Sequence, residues 1–169
     1  MGLEIGFGMG QALIDWAERA PELNLVGVEI YRPGIGSTLL GIESRQLANL
    51  RIIEGDVEML MAEKFPANSL AEIRIWFPDP WPKQRHRKRR LVQPAFVAAL
   101  AARLGPGGLL RLATDWADYA DWIRKVLDGE GCLAEQSTRP ERVTTRFEAR
   151  GVRLGHEVWD FVYRKRKAN

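Results

Sequence analysis

The chain has 169 residues, of which 46% are hydrophobic and 28% charged, and carries a formal net charge of +3. That length suits one domain, expected to span residues 1–169, and buries roughly two thirds of the unfolded surface without help from disulfides or metals. One cysteine, Cys132, excludes an internal disulfide, two histidines disfavour a zinc site, and no run of about 18 apolar residues or leader pattern appears, so the expectation is a reduced cytoplasmic protein with no metal and no membrane span.

Strands and helices alternate along the chain, the pattern of an α/β doubly wound sheet. Leu3–Phe7 is a short apolar run stopped by glycines and reads as a first strand. A helix follows, with Leu13, Ile14, Trp16 and Ala17 as its apolar face, broken by Pro21 and Asn24. Leu25–Val28 is a second strand ending at Glu29. The spacing then predicts a helix over Pro33–Ala48, with proline at its start and Gly34, Gly36 and Gly41 weakening it.

Leu50–Ile53 is the third strand, ending near Glu54-Gly55-Asp56. A short helix near Val57–Ala62 and a turn at Pro66-Ala67-Asn68 follow. Leu70–Phe77 is the fourth strand, and a proline-rich, then basic, loop runs from Pro78 to Arg90. Pro94–Leu104 is helical, and Gly105-Pro106-Gly107-Gly108 is expected to terminate it. Leu109–Ala113 is the fifth strand. Trp116–Leu127 is a helix with Trp116, Tyr119, Trp122, Ile123 and Val126 at helical spacing. A strand near Cys132–Ala134 and a final strand at Trp159–Tyr163 lack a clean crossover helix between them, so the last strand should run antiparallel.

The sharpest local signal is Glu4-Ile5-Gly6-Phe7-Gly8-Met9-Gly10, at the end of the first strand. Glycines there let the backbone turn tightly and approach a ligand. The spacing is G-x-G-x-G, with Gln11 where a dinucleotide fingerprint places its third glycine. Glu4 would repel a pyrophosphate and attract an ammonium or sulfonium. Glu29 is placed to accept hydrogen bonds from both hydroxyls of a ribose, and Asp56 to meet an adenine amino group. Carboxylates at the ends of three strands, with Gly6 and Gly8 between them, fit S-adenosylmethionine better than a phosphate-rich cofactor.

Strand four ends in Phe77-Pro78-Asp79-Pro80-Trp81-Pro82-Lys83. Two prolines fix the backbone around Asp79 at the carboxyl edge of the sheet. The segment resembles the (D/N)-P-P-(Y/F/W) element with which many amino-methyltransferases hold a target nitrogen, and Phe77 and Trp81 are placed to stack on a base. Methyl transfer from a sulfonium is an in-line displacement, so alignment supplies much of the rate. If the target is a ring nitrogen with a free lone pair, such as guanine N7, no proton is removed first. Asp79 then orients the base and stabilises its developing positive charge.

Lys83-Gln84-Arg85-His86-Arg87-Lys88-Arg89-Arg90 holds six fixed cations in eight residues. Its position beside the Asp79 loop favours contact with phosphates of a nucleic acid over a merely solvated face. The C-terminal Arg164-Lys165-Arg166-Lys167 is a less specific basic run. Spacing alone assigns no role to the polar and aromatic patch of Thr144–Glu148 with Arg150.

Taken together, Leu3–Gly10, Gly27–Ile30, Phe77–Lys83, Arg85–Arg90, Ala113–Trp116, Thr145–Gly151 and Leu154–Asp160 resemble the bacterial tRNA (guanine-N7)-methyltransferases over nearly the whole chain. The resemblance implies a class I S-adenosylmethionine-dependent methyltransferase fold with a mostly parallel sheet and an antiparallel last strand. It implies methylation of the variable-loop guanine, position 46, of tRNA, with the base exposed for reaction. It assigns cofactor contacts to Glu4, Glu29, Asp56 and Asp79, with Asp79 catalytic. It assigns substrate contacts to Lys83, Asp115, Thr145, Arg146, Phe147 and Glu148, and RNA contacts to Arg85, His86, Arg87, Lys88, Arg89 and Arg90. Two departures stand out: the family's segment before the first strand is missing, which is expected to matter, and Val57 stands where a smaller residue is usual, which is expected to be harmless.

A methyltransferase acting on another RNA position or on a small amine is the nearest alternative, though the basic loop disfavours a small substrate. A non-catalytic RNA-binding module would have no physical reason to keep four converging carboxylates. A dehydrogenase is disfavoured by Glu4 and Gln11. The chain is consistent with either a monomer or a homodimer.

Overall fold

The computed structural model describes residues 1–138, 144, 146–153 and 155–167. In chain order it forms β1 (Gly2–Ile5), α1 (Gln11–Arg19), β2 (Leu25–Glu29), α2 (Arg32–Arg45), β3 (Leu50–Glu54), α3 (Val57–Lys64) and β4 (Leu70–Trp76). A 3-10 helix (Gln84–Arg89) precedes α4 (Pro94–Arg103), β5 (Leu104–Thr114), α5 (Ala117–Asp128), β6 (Leu133–Glu135), α6 (Arg146–Arg153) and β7 (Trp159–Lys165).

The sheet runs β3-β2-β1-β4-β5-β7-β6. Pairings from β3 through β5 are parallel, and β7 is antiparallel to both β5 and β6. The expected α/β class and antiparallel last strand are therefore both present. β1 is flanked by β2 and by β4, so the chain reverses its winding beside β1. In open α/β sheets that reversal opens a crevice at the carboxyl ends of the strands.

Side-chain alternation divides the core between two faces. Leu3 and Ile5 of β1 join Ile73, Ile75, Leu110 and Leu112 in the larger cluster, covered by α3, α4 and α5. On the other face Leu13, Trp16 and Ala17 of α1 pack with Leu25 and Leu50. Spacing on α5 buries Tyr119, Ala120, Ile123, Val126 and Leu127. Among the described residues no helix is long and apolar enough to cross a membrane.

Several elements differ from the sequence reading. β1 stops at Ile5 because Gly6 enters the left-handed region at φ +67°. α2 stops at Arg45, where Gln46 adopts φ +54°. Gly105-Pro106-Gly107-Gly108 lies inside β5 instead of ending α4. There the register jumps from Leu70↔Leu104 to Glu72↔Leu109, so two steps on β4 face five on β5 and the glycines bulge. α6 was unforeseen as a helix.

The C-terminal basic run begins at the end of β7, beside the start of β5 and away from the carboxyl-end crevice. Arg164 donates to Gly107 O at 2.8 Å, and Lys165 to Leu104 O at 2.7 Å. These two cations brace the bulge.

Two of the three glycines of α2, Gly34 and Gly41, have a packing reason. A Cβ on Gly34 would stand 2.0 Å from the carbonyl oxygen of Gly8, and one on Gly41 would stand 2.4 Å from Ile14 Cδ1. The helix thus presses directly on the first glycine loop. Gly34→Ala should destabilise the fold by roughly 1–3 kcal/mol, since a backbone carbonyl cannot swing aside. A urea titration checks this, and a variant as stable as the parent contradicts it.

Candidate active site

The loop after β1 turns through Gly6 and Gly10, at φ +67° and +80°. A Cβ on Gly6 would meet nothing within 4 Å, so this side of the loop is open for a ligand. What fixes the loop is Glu29, at the end of β2 and 9% exposed. Its Oε2 accepts from Gly8 N at 2.7 Å, and its Oε1 accepts from Ile30 N at 2.7 Å and Tyr31 N at 3.0 Å. Charge-assisted bonds of this kind are about twice as strong as neutral ones. Each carboxylate oxygen has two acceptor sites, so Oε1 is filled and Oε2 keeps one. The expectation that Glu29 accepts from both hydroxyls of a ribose narrows to one.

Glu4 lies on the neighbouring strand β1, one residue before its end, and is 1% exposed. Among the described residues its Oε2 has no hydrogen-bond partner. Burial pushes its carboxyl up to about 8, against the opposing pull of Arg74 and a side-chain hydrogen bond from Trp76. Arg74 sits beside it in register on β4, but its charge is shared with Glu72 at 2.6 Å. Arg111, 4% exposed, also reaches Glu72, at 3.4 Å. Burial thus favours the protonated form of Glu4 over the carboxylate that the sequence suggests.

Asp56 caps α3, its Oδ1 accepting from Glu58 N at 2.9 Å. Asp79 is exposed, on a loop whose flanking residues Phe77 and Trp81 take φ +51° and +42°. Left-handed backbone is costly for bulky side chains and persists only where surroundings hold it. Phe77 N donates to Ala113 O at 2.8 Å, anchoring the loop's start. The Trp81 ring meets His86 edge-on at 5.7 Å and carries the Arg89 guanidinium 5.1 Å from its centroid.

These pieces enclose a cleft of about 760 Å³. Glu4, Gly6, Gly8, Glu29, Asp56 and Asp79 all line it. The structure therefore brings together every residue expected at the cofactor. Tyr31, Trp81 and Arg89 also line it. Tyr31, half exposed two residues past Glu29, had no spacing signal.

Of the expected substrate residues, Lys83, Asp115 and Glu148 do not line this cleft. Lys83 is exposed just before the 3-10 helix. Asp115 accepts or shares a hydrogen bond with His156 Nδ1 at 3.0 Å and lies so near α6 that a Cβ on Gly151 would stand 2.8 Å from its Oδ2. Thr145 lies outside the described residues. Arg146 and Phe147 are placed on α6 by their backbone, and Glu148 sits half-buried in its first turn. No set of three or more His, Cys, Asp or Glu among the described residues is arranged to hold a metal.

Within the basic run Arg85, Arg87, Lys88 and Arg89 are exposed and His86 half-buried. Arg90 departs from the expectation of an RNA contact. It is 3% exposed and donates to Pro80 O at 2.8 Å and to Asp118. No sequence rule pairs residues that far apart in separate elements, so this role was invisible.

Comparison with known proteins follows the same lines. The sequence model of a family described as putative methyltransferase matches residues 1–161. The chain is 49% identical over 171 residues to the tRNA (guanine-N(7)-)-methyltransferase of Alkalilimnicola ehrlichii, covering 98% of this chain and 72% of that protein. It is 51% identical over 170 residues to the enzyme of the same name from Thiobacillus denitrificans, covering 97% and 74%. The fold resembles a SAM-dependent methyltransferase from Aquifex aeolicus with TM-score 0.67 at 10% identity, over 97% of this chain and 81% of that one.

The raised carboxyl of Glu4 makes a signed prediction. A folded-state value of about 8 against 4.5 means that its contribution to stability is full below pH 4.5 and lost as pH rises through 8. Glu4→Gln removes that loss, so the ratio of variant to parent folding constants should climb across this window by up to about tenfold per pH unit. Parallel urea titrations from pH 5 to 8.5 measure it, and a flat ratio refutes it.

Proposed function

The chain belongs to the tRNA (guanine-N(7)-)-methyltransferase family, and from that premise we propose that it transfers a methyl group from S-adenosylmethionine to N7 of guanine 46 in the variable loop of tRNA. The observation that carries this reading is the meeting of Glu4, Glu29, Asp56 and Asp79 around one cleft, with the Asp79 loop running straight into an exposed basic turn. In this reading residues 1–169 act as one catalytic domain in the cytoplasm.

The donor set suits the cofactor. A buried carboxyl with an unpartnered oxygen faces a cleft whose glycine side is open, and the volume is ordinary for a small-molecule site. When bound, S-adenosylmethionine supplies an electrophilic methyl on a cationic sulfur. Beside that cation Glu4 would release its proton to solvent, becoming the counter-charge that its burial otherwise disfavours. Glu29 offers the free acceptor site of Oε2 to a ribose hydroxyl. Asp56 keeps one carboxylate oxygen beyond its capping bond for an adenine amino group.

Asp79 carries the reaction's orientation. Guanine N7 attacks with its own lone pair, so no base is needed. A carboxylate that accepts from guanine N1–H and the amino group fixes the ring and offsets the positive charge that grows as the new N–C bond forms. Trp81 supplies an aromatic wall beside it. Arg85, Arg87 and Lys88 meet RNA phosphates, with Lys83, Asp115 and the Thr145–Glu148 segment completing the substrate side.

A tRNA transcript bearing guanine 46 should take up labelled methyl, while one with adenine there should not. Methylation that survives this change moves the target to another position. Asp79→Ala should lower kcat by about a hundredfold or more, the scale for losing one aligned electrostatic contact. Activity within a few fold of the parent would remove Asp79 from the chemistry. Changing Arg85, Arg87 and Lys88 to glutamine should reduce the slope of log affinity for tRNA against log salt by about one per lost phosphate contact. An unchanged slope would make the turn a solvated face.

A further inference from the structure

One arginine of the basic turn points inward. The Arg90 side chain is 2% exposed, and a buried guanidinium is tolerated only where its donors are met. Its Nε donates to Pro80 O at 2.8 Å, its Nη2 donates to Asp118 Oδ2, and its plane lies 4.8 Å from the Tyr119 ring centroid. Tyr119 is itself fixed, its hydroxyl accepting from Val92 N at 3.2 Å. The other oxygen of Asp118 is held by Arg87 at 2.8 Å, and the Arg87 side chain is 47% exposed. The bonds form one line from Pro80 O through Arg90 and Asp118 to Arg87.

Pro80 directly follows Asp79. The loop holding both is flanked by left-handed Phe77 and Trp81, a shape that relaxes unless braced. The Pro80 carbonyl is where α5 braces it from within.

We propose that Arg90 is a positioning residue for Asp79 and that Asp118, shared by Arg90 and Arg87, couples the pose of the loop to engagement of Arg87 by the RNA backbone. This rests on the reading that Asp79 lies against the reacting guanine. A phosphate at Arg87 competes with Asp118 for its guanidinium. The carboxylate then falls wholly to Arg90, whose grip on Pro80 O tightens. By reciprocity a well-braced loop favours the phosphate-bound turn.

Arg90→Lys tests the brace, because an ammonium keeps the charge but lacks the fork that reaches Pro80 O and Asp118 at once. Amide exchange should quicken over residues 77–90 and nowhere else. At saturating tRNA and cofactor kcat should fall by about tenfold to a hundredfold, the penalty for a slight misplacement of a reacting group, with a much smaller change in cofactor affinity. Exchange or kcat at the parent's level overturns the proposal, as does a loss of cofactor affinity that matches the loss of kcat. Arg87→Met leaves Asp118 wholly to Arg90, so it should raise KM, keep kcat, and slow amide exchange over residues 77–90 in the free protein, the slowing being absent in an Asp118→Asn background. Exchange unchanged by Arg87→Met, or slowed equally in both backgrounds, overturns the coupling. A parent chain that binds tRNA and cofactor yet forms no N7-methylguanosine overturns the enzymatic reading, and this inference with it, before any variant is compared.

Discussion

Three backbone N–H groups converge on the carboxylate of Glu29, and the rest of the site depends on that knot. Gly8 belongs to the loop after β1, while Ile30 and Tyr31 open the path into α2. One side chain therefore ties two strand ends that the sheet alone would leave as loose loops. The tie works because Gly34 lets α2 press against the Gly8 carbonyl. With the glycine loop held from beneath, its upper side stays open, and Glu4, Asp56 and Asp79 are left facing the same space.

The charge pattern divides the molecule in two. The cleft is walled by carboxyl groups, and the turn beside it by exposed cations. A cationic ligand and a polyanionic one would each be drawn to its own side, with Asp79 at the border. Inside the sheet the same economy holds. Arg74 is shared with Glu72, so it offsets only part of the burial that pushes the Glu4 carboxyl up. An acid stored in this way costs little until a cation arrives, and then becomes the strongest local partner for it.

Much of this was legible in the sequence, for identifiable reasons. Glu4, Glu29, Asp56 and Asp79 each stand just where an apolar run ends, and strand ends in a doubly wound sheet meet at one edge. The loop glycines and the Pro78-Asp79-Pro80 frame carry their conformational meaning in residue type alone. The protonation of Glu4 was not legible, because it depends on burial and on how Arg74 is shared across strands. The inward turn of Arg90 was hidden for a similar reason: its partners Pro80 and Asp118 come from a loop and a distant helix, and a run of cations reads as uniformly exposed. The glycines of β5 read as a helix stop because a bulge is a property of two strands together. α6 escaped notice because its pattern is polar and short.

The central claim is that this acidic cleft is built for a cationic methyl donor, with Glu4 as its counter-charge. The most direct measurement is calorimetry of S-adenosylmethionine binding at pH 7 in two buffers of different ionisation enthalpy, for the parent and for Glu4→Gln. The parent should bind and release close to one proton, seen as a heat that changes with buffer. Glu4→Gln should show no such dependence. Absence of binding to the parent, or a heat identical in both buffers, would contradict the claim.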